Sequence, residues 1–170
     1  PGVDFPEVFN PNPAITAMEF DNNGRLWIGT AQGLRVCFNP QAMFDENAQI
    51  NVSPIVFLEN GVPQELLFEQ FITDLKTDGA GNIWISTADS GVFQVSSTGQ
   101  DILNIFNQDN SPLPSNAVVS VDINDRTGEV FFGTQRGLVS YQSRITGGVD
   151  NLEDVRVFPN PVRPEYNGLV

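Results

Sequence analysis

Glu65 and Glu69 stand four residues apart around Leu66, Leu67 and Phe68, and a pair of carboxylates is what a glycoside hydrolase works with. Nothing else nearby supports catalysis, so the pair reads as part of a solvated connection. Asp21, Asp78, Asn124 and Asp125 could offer oxygens to calcium, but that ion takes about six to eight of them. Each of these stretches supplies one or two without EF-hand spacing, which is turn chemistry. Trp27, Trp84 and Phe131 are candidates for stacking on a sugar ring. Each sits mid-strand at the equivalent place in a repeated phrase, so the reading taken is packing between repeats. Thr30, Thr87 and Thr134 each end a strand before a loop. They could line a pocket; the favoured role for their hydroxyls is to satisfy loop backbone groups. Cys37, the one cysteine, reads as a small buried apolar residue.

The chain has 170 residues and no histidine, which excludes a Ser-His-Asp triad, a His-Cys pair and a His-ligated zinc. No catalytic residue, metal or cofactor is read from it. With 21 acidic against 8 basic side chains the net charge is −13. Nucleic acid is bound largely through basic side chains, so neither nucleic acid nor an anionic membrane surface is an expected partner. No apolar run approaches the roughly 20 residues that span a bilayer. No signal peptide is read either, so an exported protein would carry one upstream of Pro1.

The elements that position these residues come in three copies. The first is ITAMEFDNNGRLWIGTAQGLRVCF (15–38), the second ITDLKTDGAGNIWISTADSGVFQV (72–95) and the third VVSVDINDRTGEVFFGTQRGLVSY (118–141). Trp27 and Trp84 are 57 residues apart, Trp84 and Phe131 47, a recurrence of array length. Each copy reads as a strand, a tight turn with Gly and Asx, a second strand, a short loop with Gly33, Gly91 or Gly137, and a third strand. Fourth strands are predicted at PIVFLE (54–59), ILNIF (102–106) and VRVF (155–158), with EVF (7–9) left over from a preceding unit. PQELLFEQF (63–71) reads as connection plus the start of a strand.

Four antiparallel strands per repeat make a β-propeller blade. The alternative is a sandwich of about twelve strands, in which one face of each strand meets water and alternation is clean. LWI and VFF are instead consecutively apolar. The predicted class is all-β: a partial β-propeller of three four-stranded antiparallel blades, part of a larger propeller. The divisions are 1–14 for the outer strand of a preceding blade and a connection, 15–59, 60–106 and 107–150 for the blades, and 151–170 for an outer strand or the start of a β-sandwich. Bare blade faces in such a set would be covered by further blades, or by self-association as a dimer whose six blades close a ring.

The repeats resemble the two-component regulator propeller pattern I..I..D..G.LWIGT..GL. Copy one carries Ile15, Asp21, Gly24, Leu26, Trp27, Ile28, Gly29, Thr30, Gly33 and Leu34. Copy two keeps Ile72, Asp78, Gly81, Trp84, Ile85, Thr87 and Gly91, with Ser86 for the glycine. Copy three keeps Gly128, Gly133, Thr134, Gly137 and Leu138, with Phe131 for the tryptophan. The resemblance implies one of two settings. One is the periplasmic, glycan-sensing region of a hybrid two-component system. The other is an exported cell-surface protein of the PorZ-like kind, from bacteria with type IX secretion. VRVFPNPVRPEYNG (155–168) resembles the opening of a type IX sorting β-sandwich through Val157, Pro159, Asn160 and Pro161, and favours the second. Expected partners are therefore a glycan or lipopolysaccharide, or proteins of a secretion or signalling system, and the expected location is periplasmic or the outer cell surface. A ligand is expected on the variable loops between second and third strands, at Gln32, Asp89, Ser90, Gln135 and Arg136, because loops on a rigid scaffold carry function.

Overall fold

Asp21 shows how the local sequence writes the structure. Its Oδ1 accepts the backbone N–H groups of Asn23 and Arg25 at 2.8 and 3.0 Å, while its Oδ2 accepts Trp27 Nε1 at 2.9 Å and Arg25 Nε at 2.6 Å. One carboxylate thus closes the first turn and ties it to the indole two positions into the next strand. Asp78 repeats the device with Ala80 and Asn82 backbone N–H groups and Trp84 Nε1. Asn124 accepts from Arg126 and Thr127 but has no indole to hold. These contacts use the Asx oxygens for turns. Among the described residues no cluster of three or more acidic, His or Cys side chains could hold a metal.

The structure is a computed structural model and describes residues 14–145 apart from positions 46, 60 and 144. Its strands are β1 (Ile15–Phe20), β2 (Leu26–Thr30), β3 (Gly33–Cys37), β4 (Val52–Ser53), β5 (Val56–Glu59), β6 (Val62–Glu65), β7 (Ile72–Thr77), β8 (Ile83–Thr87), β9 (Val92–Val95), β10 (Ile102–Phe106), β11 (Val118–Asn124), β12 (Glu129–Thr134) and β13 (Gly137–Gln142). Two four-stranded antiparallel sheets, β1-β2-β3-β4 and β7-β8-β9-β10, are followed by a three-stranded sheet β11-β12-β13 and accompanied by a hairpin β5-β6. The three sheets are successive propeller blades. The fourth strand expected at 155–158, the segment EVF and the sorting-type signature all lie outside the described residues.

The outer strand of blade one differs from expectation. It is β4, paired with β3 through Val36–Ser53 and Cys37–Val52, whereas PIVFLE leaves the sheet and forms a hairpin with β6. After β3 the chain makes a 3-10 turn over Pro40–Phe44, and the Asn39 side chain bonds both Gln49 O and Asn51 N at 2.8 Å, so pairing resumes early. Pro54 then has no N–H to donate and stops the ladder. The hairpin crosses the expected 59/60 division between blades. PQELLFEQF accordingly supplies the end of β6 and a turn, and β7 begins only at Ile72.

The blades pack face to face. Trp27, Leu34 and Val36 of blade one meet Ile72, Leu75, Ile83, Ile85 and Val95 of blade two in one core, with Ile55 and Leu66 closing its outer side. Trp84 and Val92 of blade two meet Val118, Val121, Val130 and Phe132 of blade three in the next. Blades one and two therefore each have a forward face that receives the rear face of the next blade. This is why both LWI and IWI run apolar without a break. The same bulge in β1 and β7 frees one threonine, and a bulge re-aims the side chain it carries. Thr16 Oγ1 donates to Ile72 O at 2.5 Å and Thr73 Oγ1 to Val118 O at 2.6 Å. In blade three the bulge carries Val119, which has no such proton.

Phe131, expected in the core beside Trp27 and Trp84, is only half-buried. It holds the same forward-face register, opposite Asp122 and Ser140, but no blade follows it among the described residues. Phe132, on the rear face, is the buried member of the pair at 2% exposure. Cys37 is fully buried and free, as a small apolar residue would be.

Burial pushes the Asp21 carboxyl up, but the hydrogen bonds from Trp27, Arg25 and Asn23 outweigh it and hold the pKa below the ordinary 3.8. A folded-state value below the unfolded one gives stability that is complete above the unfolded value and is lost as pH falls through the folded value. Urea midpoints should therefore drop as pH falls below the ordinary carboxylate value of 3.8, and Asp21→Asn should flatten that acid limb of the profile. An unchanged acid limb in the variant would show that other carboxylates carry it.

Candidate functional site

The loops between second and third strands share one end of the blades, and their shape is set by the threonine before them. Thr30 Oγ1 donates to Gly33 O at 2.7 Å and accepts Gln32 N at 3.1 Å. Thr87 does the same with Gly91 O and Ser90 N, and Thr134 with Gly137 O and Arg136 N. Each loop is then stitched to the residue just before its blade's first strand: Ala31 N to Ala14 O, Ala88 N to Phe71 O, and Gln135 N to Ala117 O, at 3.1, 3.0 and 3.2 Å. Gly29 and Gly133 lie within the second strands, where Gly29 makes room for the Ile72 side chain of the next blade.

Of the expected site residues, Gln32, Asp89, Gln135 and Arg136 are exposed and Ser90 is half-buried. They occupy equivalent loops of successive blades, and among the described residues no hydrogen bond or ion pair joins one blade's set to another's. The structure assembles a group only around blade two. Ser90 Oγ lies 2.6 Å from Gln70 Oε1 and 2.8 Å from Asp89 Oδ1. Phe71 adjoins this group and is 43% exposed, while its counterparts in the other blades are Ala14 and Ala117.

The turn leading into Phe71 is itself unusual. Leu67 and Glu69 adopt φ of 54° and 58°, a left-handed region costly to residues with a Cβ. Phe68 between them is 58% exposed. The turn rests on the loop of blade one, where a Cβ on Gly33 would come within 3.0 Å of Leu67 O, and Glu65 is held by Arg35. Glu65 is thereby engaged in an ion pair and the carboxylate pair 65/69 reads as structural. What blade two presents is an exposed aromatic ring beside an amide, a hydroxyl and a carboxylate. That set can stack and hydrogen-bond.

Sequence reasoning named Asp89 and Ser90 but missed Gln70, Phe71 and Phe68. The signal was available in the residues that precede each first strand, Ala14, Phe71 and Ala117, of which one breaks the repeat. A second hollow, about 440 Å3, opens between β10 and β13 over Phe106, Phe132 and Tyr141. Its floor is the aromatic cluster around Trp84.

Comparison with known proteins matches this architecture. The Two component regulator propeller family matches residues 10–32. PorZ, described as an essential bacterial surface component of the type-IX secretion system of Porphyromonas gingivalis, is 32% identical over 90% of this chain, with a TM-score of 0.75. The extracellular domain of the hybrid two component system BT3049 from B. thetaiotaomicron is 23% identical over 76%, with a TM-score of 0.57. A structure from a gluconolactonase family shares the fold at 12% identity over 78%, with a TM-score of 0.55. No curated protein matches. The chain spans 21% of PorZ, 16% of the BT3049 domain and 40% of the gluconolactonase-family chain. Among the described residues no helix is long and apolar enough to cross a membrane. The chain is a run of β-propeller blades that carries the two component regulator propeller repeat and resembles PorZ.

Proposed function

We propose that this chain is a non-enzymatic binding segment of an exported, surface-associated protein of the PorZ kind, and that its ligand is carbohydrate-bearing, lipopolysaccharide included. The observation that carries the reading is Phe71: an exposed ring set beside Gln70, Asp89 and Ser90 where the other two blades have alanine. An aromatic face with hydrogen-bonding groups at its edge suits a pyranose, whose C–H face stacks while its hydroxyls pair. The 32% identity to PorZ supports the setting.

Titration of the 170-residue chain with a panel of neutral and acidic oligosaccharides and with lipopolysaccharide tests this by calorimetry. Phe71→Ala is expected to weaken binding about tenfold, the worth of one aromatic contact, with no change in melting temperature. Asp89→Ala and Arg136→Ala together should weaken it further if the ligand spans blades two and three. Failure of the whole panel to bind, or full affinity in Phe71→Ala, overturns the site. A coding sequence that continues into a membrane span and a kinase would instead make the protein a glycan sensor.

A further inference from the structure

Three departures from the repeat meet at one corner of blade two. The loop between second and third strands runs Thr-Ala-Gln-Gly at 30–33 and Thr-Gln-Arg-Gly at 134–137, but Thr-Ala-Asp-Ser-Gly at 87–91. It is one residue longer. The threonine hydroxyl accepts the backbone N–H of Gln32, Ser90 and Arg136 in the three copies, so Ser90 is the equivalent of the other two and Asp89 is the inserted residue. The second departure is Phe71 in place of alanine. The third is the left-handed turn at Leu67 and Glu69, which leads into Gln70 and so to the longer loop. Insertions in a repeat array often mark the face that binds.

The inserted residue changes the charge of the corner. Ser90 Oγ touches both Gln70 Oε1 and Asp89 Oδ1, with one hydroxyl proton to serve two acceptors. Among the described residues Asp89 Oδ2 accepts no hydrogen bond, and neither Asp89 nor Glu69, both exposed, enters an ion pair. Arg35, the cation beside this turn, is taken up by Glu65 and by Leu34 O. Arg136, one blade further on, makes no pair with Asp89. The corner is therefore rich in acceptors, and its charge is negative.

We infer that the site beside Phe71 selects its sugar by charge: it takes a neutral or amino pyranose, whose hydroxyl or ammonium group donates to Asp89, and turns away uronic, sialic or phosphorylated sugars. The inference rests on the proposed carbohydrate site and adds to it the class of ring. A carboxylate receives hydroxyl donors in charge-assisted hydrogen bonds, roughly twice as strong as neutral ones, and repels a second anion at the same range. Asp89 is thus the residue that sets specificity, while Phe71 supplies the stacking that charged and uncharged rings share.

Calorimetry of the 170-residue chain, in EDTA and at mildly acidic pH where a sugar amine is charged, tests this with two matched pairs. These are mannotetraose against a tetramer of mannuronate, and cellotetraose against a tetramer of glucosamine. The neutral member is expected to bind at least about tenfold more tightly than the uronate, and the amino member to match or exceed its neutral partner. Added salt should narrow both gaps. Asp89→Asn keeps the size of the side chain and removes its charge. It should cut the preference over the uronate at least about fivefold, with the melting temperature unchanged because residue 89 is exposed. Equal or tighter binding of the uronate overturns the inference and, where Phe71→Ala still weakens both sugars, leaves the carbohydrate site standing. So does a preference that Asp89→Asn retains in full. No binding by any of the four removes the carbohydrate site and this inference together.

Discussion

Trp84→Ala is expected to lower the unfolding free energy by about 3–5 kcal/mol, the range for truncating a buried large aromatic. The indole is fully buried and has Phe106, Phe132 and Tyr141 around it at centroid distances of 5.9, 5.9 and 6.1 Å. Its removal takes away the centre of the core between blades two and three together with a 3.1 Å bond to Asp78. Asp78 keeps Asn82 and Gln94 as donors, so the loss is mainly cavity and packing. Phe131→Ala, at the same place in the repeat but half-buried, should cost about 1 kcal/mol or less. Urea midpoints of the two variants give the comparison. Equal losses would mean that the tryptophan position matters for something other than the junction between blades.

Gly91→Ala is the second large effect. At φ of 85° an added Cβ would lie 2.0 Å from Phe106 O and 3.1 Å from Phe106 C, and both are backbone atoms that cannot swing aside. The left-handed conformation costs about 1–2 kcal/mol, and forcing apart a packed contact about 1–3 more, so a loss of about 3 kcal/mol or greater is expected. Gly24→Ala isolates the first part, because its φ is 75° while the nearest foreign atom is the Gln41 side-chain nitrogen at 3.9 Å. That variant should lose only about 1–2 kcal/mol. Gly91 N also bonds Asn116 O at 3.0 Å, so the variant should disturb the loop that carries Asp89 and Ser90. Chemical denaturation measures both variants, and a Gly91→Ala midpoint close to that of Gly24→Ala would show that the chain relaxes around the contact.

The repeat made most of the fold legible. Turn chemistry is local, so Asp21, Asp78 and the glycines that follow announce each hairpin. The paired apolar runs around Trp27, Trp84 and Phe131 announce sheets covered on both faces. The outer strand of blade one escaped because PIVFLE has strand composition, and strand composition says nothing about which edge a strand will join. Pro54 was the available clue, since a residue without an N–H marks where a ladder ends. The loop face was legible as an end of the blades, and its chemistry was not. Phe71 precedes a strand and resembles any other core residue until the alanines at the equivalent positions are set beside it.

The sequence by itself determined that the chain is built of three like units, where each turn falls, and which threonine shapes each loop, because those depend on contacts within a few residues. Only the tertiary structure decided which copies of a repeated position are buried. Trp27 and Trp84 are covered because a blade follows each, and Phe131 is half-open because among the described residues none does. Burial of a flat sheet face is a property of the neighbour laid upon it, and no residue encodes its neighbour's presence.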